Sequence, residues 1–443
     1  MLASNLRILN DLKAFLNEVS TNPELTDYFR NSKTDFTRKR KLCFQNLSLL
    51  IVRLCKKTLS VEIDGFFKEL NSFKTCSVPA FSLQRLKLKP LFFNSWNSFL
   101  CKRFYHHYGQ EVKRWKGYRV FGCDGSTISL VNRPELNTFF GGQSNQCCSF
   151  VVAKTFYCYD VLNKLILFSN ITPYRYGELK SAYNLVQRGG LEADMLMIYD
   201  RNFSNYKMAA LMQWQEKEIK YLIRVKDSLK FAQGFINSGK DSDVISIYPG
   251  PTAIIELKKC GYVVTANTPL QIRLIAVKLS TGLTEVLMTN LWEQEGFKVA
   301  EFKELYALRW GVESNISFQK NIVQLESLSG LTPLSVMQDF YATVFITNLH
   351  FLLIKDAQQK INEQVKKSKY PLQVNNNKAY GKIKEYIIKL FLSKQPAQIL
   401  KDLTLYFIRS PLPVRKNRCY PRVKKNQMSK SKFKTFSNYK PAF

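Results

Sequence analysis

The stretch "YRVFGCDGSTISL", residues 118–130, sets an acidic residue, Asp124, between a hydrophobic run and Gly-Ser-Thr. The whole run 118–130 reads as strand-like, ended or interrupted by Asp124 beside a Gly-Ser-Thr turn. A carboxylate inside an apolar strand is costly unless something compensates its charge. Further strand-like runs follow at "CSFVVAKTFYCYD" (148–160), "KLILFSNI" (164–171) and "MLMIYD" (195–200), with a helix expected around 178–189. Three strands close in sequence, then a helix and another strand, form an α/β pattern. "MLMIYD" also ends on a carboxylate, Asp200. If the strands of Asp124 and Asp200 lie parallel and adjacent, the two carboxylates meet at the C-terminal edge, where open α/β sheets bind ligands. Taken singly, Asp124 reads equally as a turn residue and Asp200 as a helix N-cap.

Outward from this segment the periodicity changes. Residues 1–115 are helical, with apolar residues at three and four spacing in "LSLLIVRLCKKTLSVEIDGFFKEL" and "LFFNSWNSFLCKRFYHHY". The basic runs "TRKRK" (37–41) and "RLKLK" (85–89) read either as phosphate contacts or as solvated helix ends. After a first α/β part (116–215), the runs "KYLIRVK", "SDVISIY", "TAIIELKK", "IRLIAVKL" and "TEVLMTNLW" suggest a mainly β insertion over 216–295. Helices return over 296–360, and 361–443 is helical and then basic. The segment "FYATVFITNLHFLLI" (340–354) is too short and too polar for a membrane span and is expected to be a buried helix.

The chain has 443 residues, 45% of them hydrophobic, which is enough for a large core. Lys and Arg total 66 against 34 Asp and Glu, a formal charge of +32, so a polyanion, by default nucleic acid, is the expected partner. From Arg415 to the end ten basic residues occur with no acidic one, interleaved with Tyr420, Phe433, Phe436 and Tyr439. Such a tail can order on DNA or merely aid solubility. Ten cysteines without a CxxC, and three histidines (His106, His107, His350) away from zinc spacing, read as reduced thiols in a cytoplasm. No export signal is visible in "MLASNLRILNDLKAF". No GxxxxGK[ST] loop and no GxSxG elbow occur, which argues against ATP use and a hydrolase triad.

A third carboxylate comes from "LYALRWGVESNISFQK" (305–320). At roughly 100° per residue, Arg309 falls about 300°, Glu313 about 340° and Lys320 about 320° from Tyr306, one polar stripe on a single helix. A solvated face held by ion pairs would look similar. With Asp124 and Asp200, however, Glu313 completes an all-oxygen donor set of the kind Mg²⁺ takes. Two ions about 4 Å apart could activate a water or a DNA 3′-hydroxyl and stabilise the leaving oxygen.

The order Asp124, Asp200, Glu313, with Glu313 inside Tyr-x2-Arg-x3-Glu-x6-Lys, resembles the DDE transposases of the insertion-sequence-four family. Asp-Gly-Ser-Thr (124–127) and Tyr-Asp-Arg-x-Phe (199–203) stand in the matching order, and the similarity covers most of the chain. The resemblance implies a ribonuclease-H-like catalytic core with a β-rich insertion, an N-terminal helical DNA-binding region and a DNA-contacting, dimerising C-terminal region. It implies Asp124, Asp200 and Glu313 as catalytic metal ligands for Mg²⁺, with Mn²⁺ able to substitute. It also implies nicking at the element's terminal inverted repeats, then attack of the freed 3′-hydroxyl on target DNA by a homodimer. Arg309 and Lys320 would hold phosphates near the cut, and Tyr306 a phosphate or displaced base. The expected place is the cytoplasm, associated with a bacterial nucleoid, with no membrane and no nucleotide cofactor.

One position departs from the family pattern. Asn202 stands where Gly is common, and Asn is the residue best able to replace it if the turn is left-handed. Trp292 and Trp310 are candidates to hold a flipped base, although Trp310 is expected in the core. The competing readings are a catalytically silent, transposase-derived DNA-binding protein and an unrelated structure-specific nuclease, which would not need Tyr306, Arg309 and Lys320 at these spacings.

Overall fold

The computed structural model describes residues 2–415 apart from 55, 73–74, 145–148, 280–281 and 365–368, so the basic tail from Lys416 onward lies outside the described residues. Nine strands form one mixed sheet: β1 (Arg119–Leu130), β2 (Gly142–Ser144), β3 (Ser149–Asp160), β4 (Leu165–Pro173), β5 (Met195–Tyr199), β6 (Lys220–Arg224), β7 (Ser242–Ile247), β8 (Leu270–Lys278) and β9 (Thr284–Thr289). β1, β3 and β4 are antiparallel neighbours, while β5 joins β1 and β6 joins β5 in parallel. Three antiparallel strands followed by two parallel ones give the mixed sheet of a ribonuclease-H-like core. β9, β8 and β7 continue that sheet beyond β6, all antiparallel.

Side-chain alternation explains why these strands read as unbroken apolar runs. Phe121, Cys123, Met197 and Tyr199 enter one core, beneath the helices Glu178–Gln187 and Tyr206–Gln213. Val120, Leu196 and Ile198 enter the opposite one with Phe302 and Leu305. A sheet covered on both faces needs apolar residues at every position of its inner strands.

Two expectations are corrected here. "TAIIELKK" is a helix, Pro251–Lys259, with Pro at its start and Leu257 buried. The Gly-Ser-Thr after Asp124 is no turn, because β1 continues to Leu130, paired with β3 throughout. Over 219–292, β6 pairs with β5, and β9, β8 and β7 extend the same sheet.

The helices Leu2–Thr21, Phe44–Arg53 and Leu91–Tyr108 share one core with Pro333–Leu353 and Asn376–Leu392. Trp96 is stacked on Phe345 at 4.0 Å and lies 5.0 Å from Phe391. The stretch 340–354 is buried within the helix Pro333–Leu353, as its composition suggests. Among the described residues no helix is long and apolar enough to cross a membrane. Cys43, Cys76, Cys101, Cys123, Cys158 and Cys260 are free thiols.

Candidate active site

Asp124 lies in mid-strand, yet it stands where β5 ends. β1 pairs with β5 only from Arg119 to Gly122, opposite Met195 to Ile198, so Asp124 and Asp200 emerge side by side at the C-terminal end of β5. Asp200 caps the short turn Arg201–Phe203, its Oδ1 accepting the Asn202 N–H at 2.8 Å. Asp124 Oδ1 accepts the Gly125 N–H at 2.8 Å. Each carboxylate thus has one oxygen fixed by backbone.

The segment 305–320 is two helices, Phe302–Ala307 and Trp310–Asn321, rather than one; Leu308 and Arg309 between them keep right-handed helical backbone, which preserves much of the stripe. Two glycines let the second helix lie against the sheet. A Cβ on Gly122 would come within 3.3 Å of Val312, and one on Gly311 within 3.0 Å of Val161. Close packing brings Arg309, with Glu313 as its partner, to Asp124. Arg309 donates to Glu313 at 2.8 Å and lies 4.0 Å from Asp124 Oδ2, a guanidinium between two carboxylates. It sits 5.7 Å from the Tyr306 ring and 5.8 Å from that of Trp310.

Burial pushes Asp124 up to about 6; repulsion from Asp200 and Glu178 adds to this, while the Gly125 N–H and Arg309 pull it down. Burial also pushes the Tyr306 hydroxyl up to about 12, so it stays a neutral donor. Lys320 is half-buried, and its ammonium donates to the Thr127 carbonyl at 2.6 Å, tying its helix to β1. Trp310 is 56% exposed beside the site, contrary to the expectation that it is core.

Glu178 is the site residue that sequence reasoning missed. It begins the helix Glu178–Gln187 and lies over Gly125, where a Cβ would collide with its carboxylate. Asn202 Nδ2 donates to Glu178 Oε1 at 3.3 Å. An acid in a first helical turn is ordinary dipole complementation, so nothing in the sequence marked this one. Asn202 itself is not among the residues with positive φ, so this turn needs no left-handed residue.

The donor set suits a hard divalent cation, since Asp124, Asp200 and Glu313 offer only carboxylate oxygens. Among the described residues, however, no three acidic, histidine or cysteine side chains stand close enough together to share an ion. The Arg309 guanidinium supplies the positive charge between Asp124 and Glu313 instead.

A mixed sheet with carboxylates gathered at the end of its parallel strands defines a ribonuclease-H-like protein. Residues 115–349 match the family described as Transposase DDE domain, more than half of the chain, and the protein belongs to that family. Among solved structures it is similar to the piggyBac transposase in a synaptic complex with hairpin DNA, at 10% identity over 96% of this chain and 90% of that one, with a TM-score of 0.42. No curated protein matches the chain.

Proposed function

We propose that the protein is an insertion-sequence transposase of the insertion-sequence-four type. In this reading it cuts DNA at the terminal inverted repeats of its element and joins the freed ends to target DNA. The observation that carries it is Arg309 set between Asp124 and Glu313, two carboxylates from separate elements, with Asp200 near enough to Asp124 to raise it. Two strands and a helix have no structural need to bring carboxylates together. Asp124, Asp200 and Glu313 would hold Mg²⁺, or Mn²⁺ in its place. Metal bound there lowers the pKa of an attacking water and stabilises the leaving oxygen.

In the first step a water oxygen bonds to phosphorus and the 3′-oxygen leaves, giving a 3′-hydroxyl and a 5′-phosphate. In the second that hydroxyl attacks a target phosphodiester and displaces its 3′-oxygen. Arg309 moves from the carboxylates to a phosphate near the cut, Tyr306 offers its neutral hydroxyl beside it, and Lys320 holds the strand roughly 10 Å along the helix axis from Glu313. A homodimer would pair the two ends. The decisive assay is cleavage of a labelled duplex carrying the inverted repeats that flank its own coding sequence, with Mg²⁺ and with EDTA. Metal-dependent nicking at the repeat end is expected. Tight binding without cutting in Mg²⁺ or Mn²⁺ would move the assignment to a silent, DNA-binding descendant.

Arg309 competes with metal for the same carboxylates, which gives a second prediction. Arg309→Gln is expected to bind Mn²⁺ about tenfold more tightly than wild type in the absence of DNA, a gain of roughly 1.4 kcal/mol, by titration calorimetry. Weaker or unchanged affinity would mean that the guanidinium does not occupy the metal's place.

A further inference from the structure

A second cluster of charge lies apart from the carboxylates. Lys113, Lys164 and Lys355 wall one cavity of about 290 Å³, together with Gln358, Asn362 and Asn376, and none of the described residues lining it is acidic. The β3–β4 hairpin and the segment after the helix Leu91–Tyr108 are pinned together there. Asn163 accepts the Lys113 N–H at 2.9 Å and donates to the Lys113 carbonyl at 3.0 Å. Lys355 Nζ is buried without a hydrogen-bond acceptor, 3.9 Å from the Tyr108 ring centroid and 4.5 Å from that of Phe104. Lys164 Nζ lies 5.9 Å from the Phe351 ring centroid.

Burial and repulsion from Lys113 pull Lys355 down to about 8 and lower Lys164 as well. Glu111, Asp160 and Asp356 offset part of this at Lys355, but none of them lines the cavity. Asp160 is already occupied by Tyr105, Leu162 and Asn163. Lys355 Nζ faces two rings that do not line the cavity, so the charge offered to an occupant comes from the exposed Lys113 and Lys164, and a cavity whose described lining charge is wholly positive attracts an anion. Gln358 Nε2 occupies the Asn362 Oδ1 at 2.9 Å, which leaves the Asn362 amide as a donor. Ammonium and amide donors together suit the oxygens of a phosphate.

We propose that the cavity between Lys113, Lys164 and Lys355 is a phosphate-binding subsite. Its occupant is a phosphodiester of bound DNA or a free phosphate. Register favours DNA. Asp160, four residues before Lys164, pairs with Phe121, three residues and roughly 10 Å along β1 from Asp124, so a duplex that crosses both the carboxylates and the hairpin would meet the cavity further than that from the cut. The DNA source rests on the transposase reading, whereas the free-phosphate source does not.

The test uses the full chain in EDTA, so it reads binding alone and its failure leaves the cleavage reading untouched. Lys113→Gln/Lys164→Gln, both exposed positions, is compared with wild type and with Lys258→Gln/Lys259→Gln, an exposed pair on the helix Pro251–Lys259. If DNA is the occupant, the logarithmic salt slope of duplex binding falls by about 1.8 in the cavity variant, two contacts at about 0.9 each, and stays unchanged in the control pair. If free phosphate is the occupant, inorganic phosphate binds wild type saturably by calorimetry, the cavity variant loses that binding, and the DNA slope is unaltered. A slope change no larger than that of the control pair, with no saturable phosphate binding, overturns the proposal.

Discussion

Asp124→Asn is expected to bind element ends normally and to nick them at least about 10³-fold more slowly, about 4 kcal/mol of lost transition-state stabilisation. Asparagine keeps an oxygen for the Gly125 N–H but loses the charge that would bind metal. The same loss is expected of Asp200→Asn and Glu313→Gln. A purely structural role for Asp124 would make its replacement destabilising, and the opposite is expected. Its carboxylate is pushed up to about 6 by burial and by its neighbours Asp200 and Glu178, well above its ordinary value of 3.8. The folded protein therefore binds this proton more tightly than the unfolded chain does, and the ionised form costs stability above pH 6. That cost fades as pH falls from 6 to 4 and vanishes below. Asp124→Asn should thus raise the unfolding free energy by about 1–3 kcal/mol at neutral pH and by nothing near pH 4. Denaturant titration at both pH values separates a catalytic carboxylate, inactive but stabilised when replaced, from a structural one. Cutting at the wild-type rate would remove Asp124 from the chemistry.

The strands and the four stripe residues were legible because their physical demands are written locally. A doubly covered strand must be apolar throughout, and "MLMIY" is. The helix bearing Glu313 shows its polar residues at helical spacing. Other features depend on what lies opposite, and no short window records that. "TAIIELKK" is too brief for its period to decide between strand and helix, and only Pro251 at its start favoured the helix. Arg85 stood in a basic run that suggested phosphate contacts or a solvated helix end, yet the fold buries it. Trp310, the sort of residue a core normally takes, faces out beside Arg309. Glu178 joins the site only because Gly125, 53 positions earlier, has no side chain to exclude it.

Arg85→Ala is expected to cost about 3–5 kcal/mol of stability, the range for breaking a buried ion pair from one side. Arg85 and Asp339 side chains are only 3% and 4% exposed and bond at 3.0 Å. The guanidinium also donates to Gln338 (2.8 Å), Ser329 (2.9 Å) and the Ser335 carbonyl (3.2 Å), joining the helix Val78–Arg85 to Pro333–Leu353. Burial alone would push Asp339 up, but Arg85, Lys56 and the Ser329 N–H outweigh it and hold it below its ordinary value. A depressed carboxylate stabilises the fold above its unfolded pKa and loses that contribution as pH falls through its folded one. The gap between wild type and Arg85→Ala should therefore narrow below about pH 4. Because Asp339 is left charged and buried in that variant, removing both partners with Arg85→Met/Asp339→Leu should recover most of the loss. Urea titration of the three proteins decides the matter, and a change under about 1 kcal/mol in Arg85→Ala would mean that the pair does not hold the helical body to the core. The pair bears on function because Asn348, on the same long helix, bonds both the N–H and the carbonyl of Ile166 in β4 at 2.8 and 2.9 Å. Loosening that helix loosens the sheet on which Asp124 stands, so Arg85→Ala should also cut DNA more slowly although it lies far from the carboxylates in the chain.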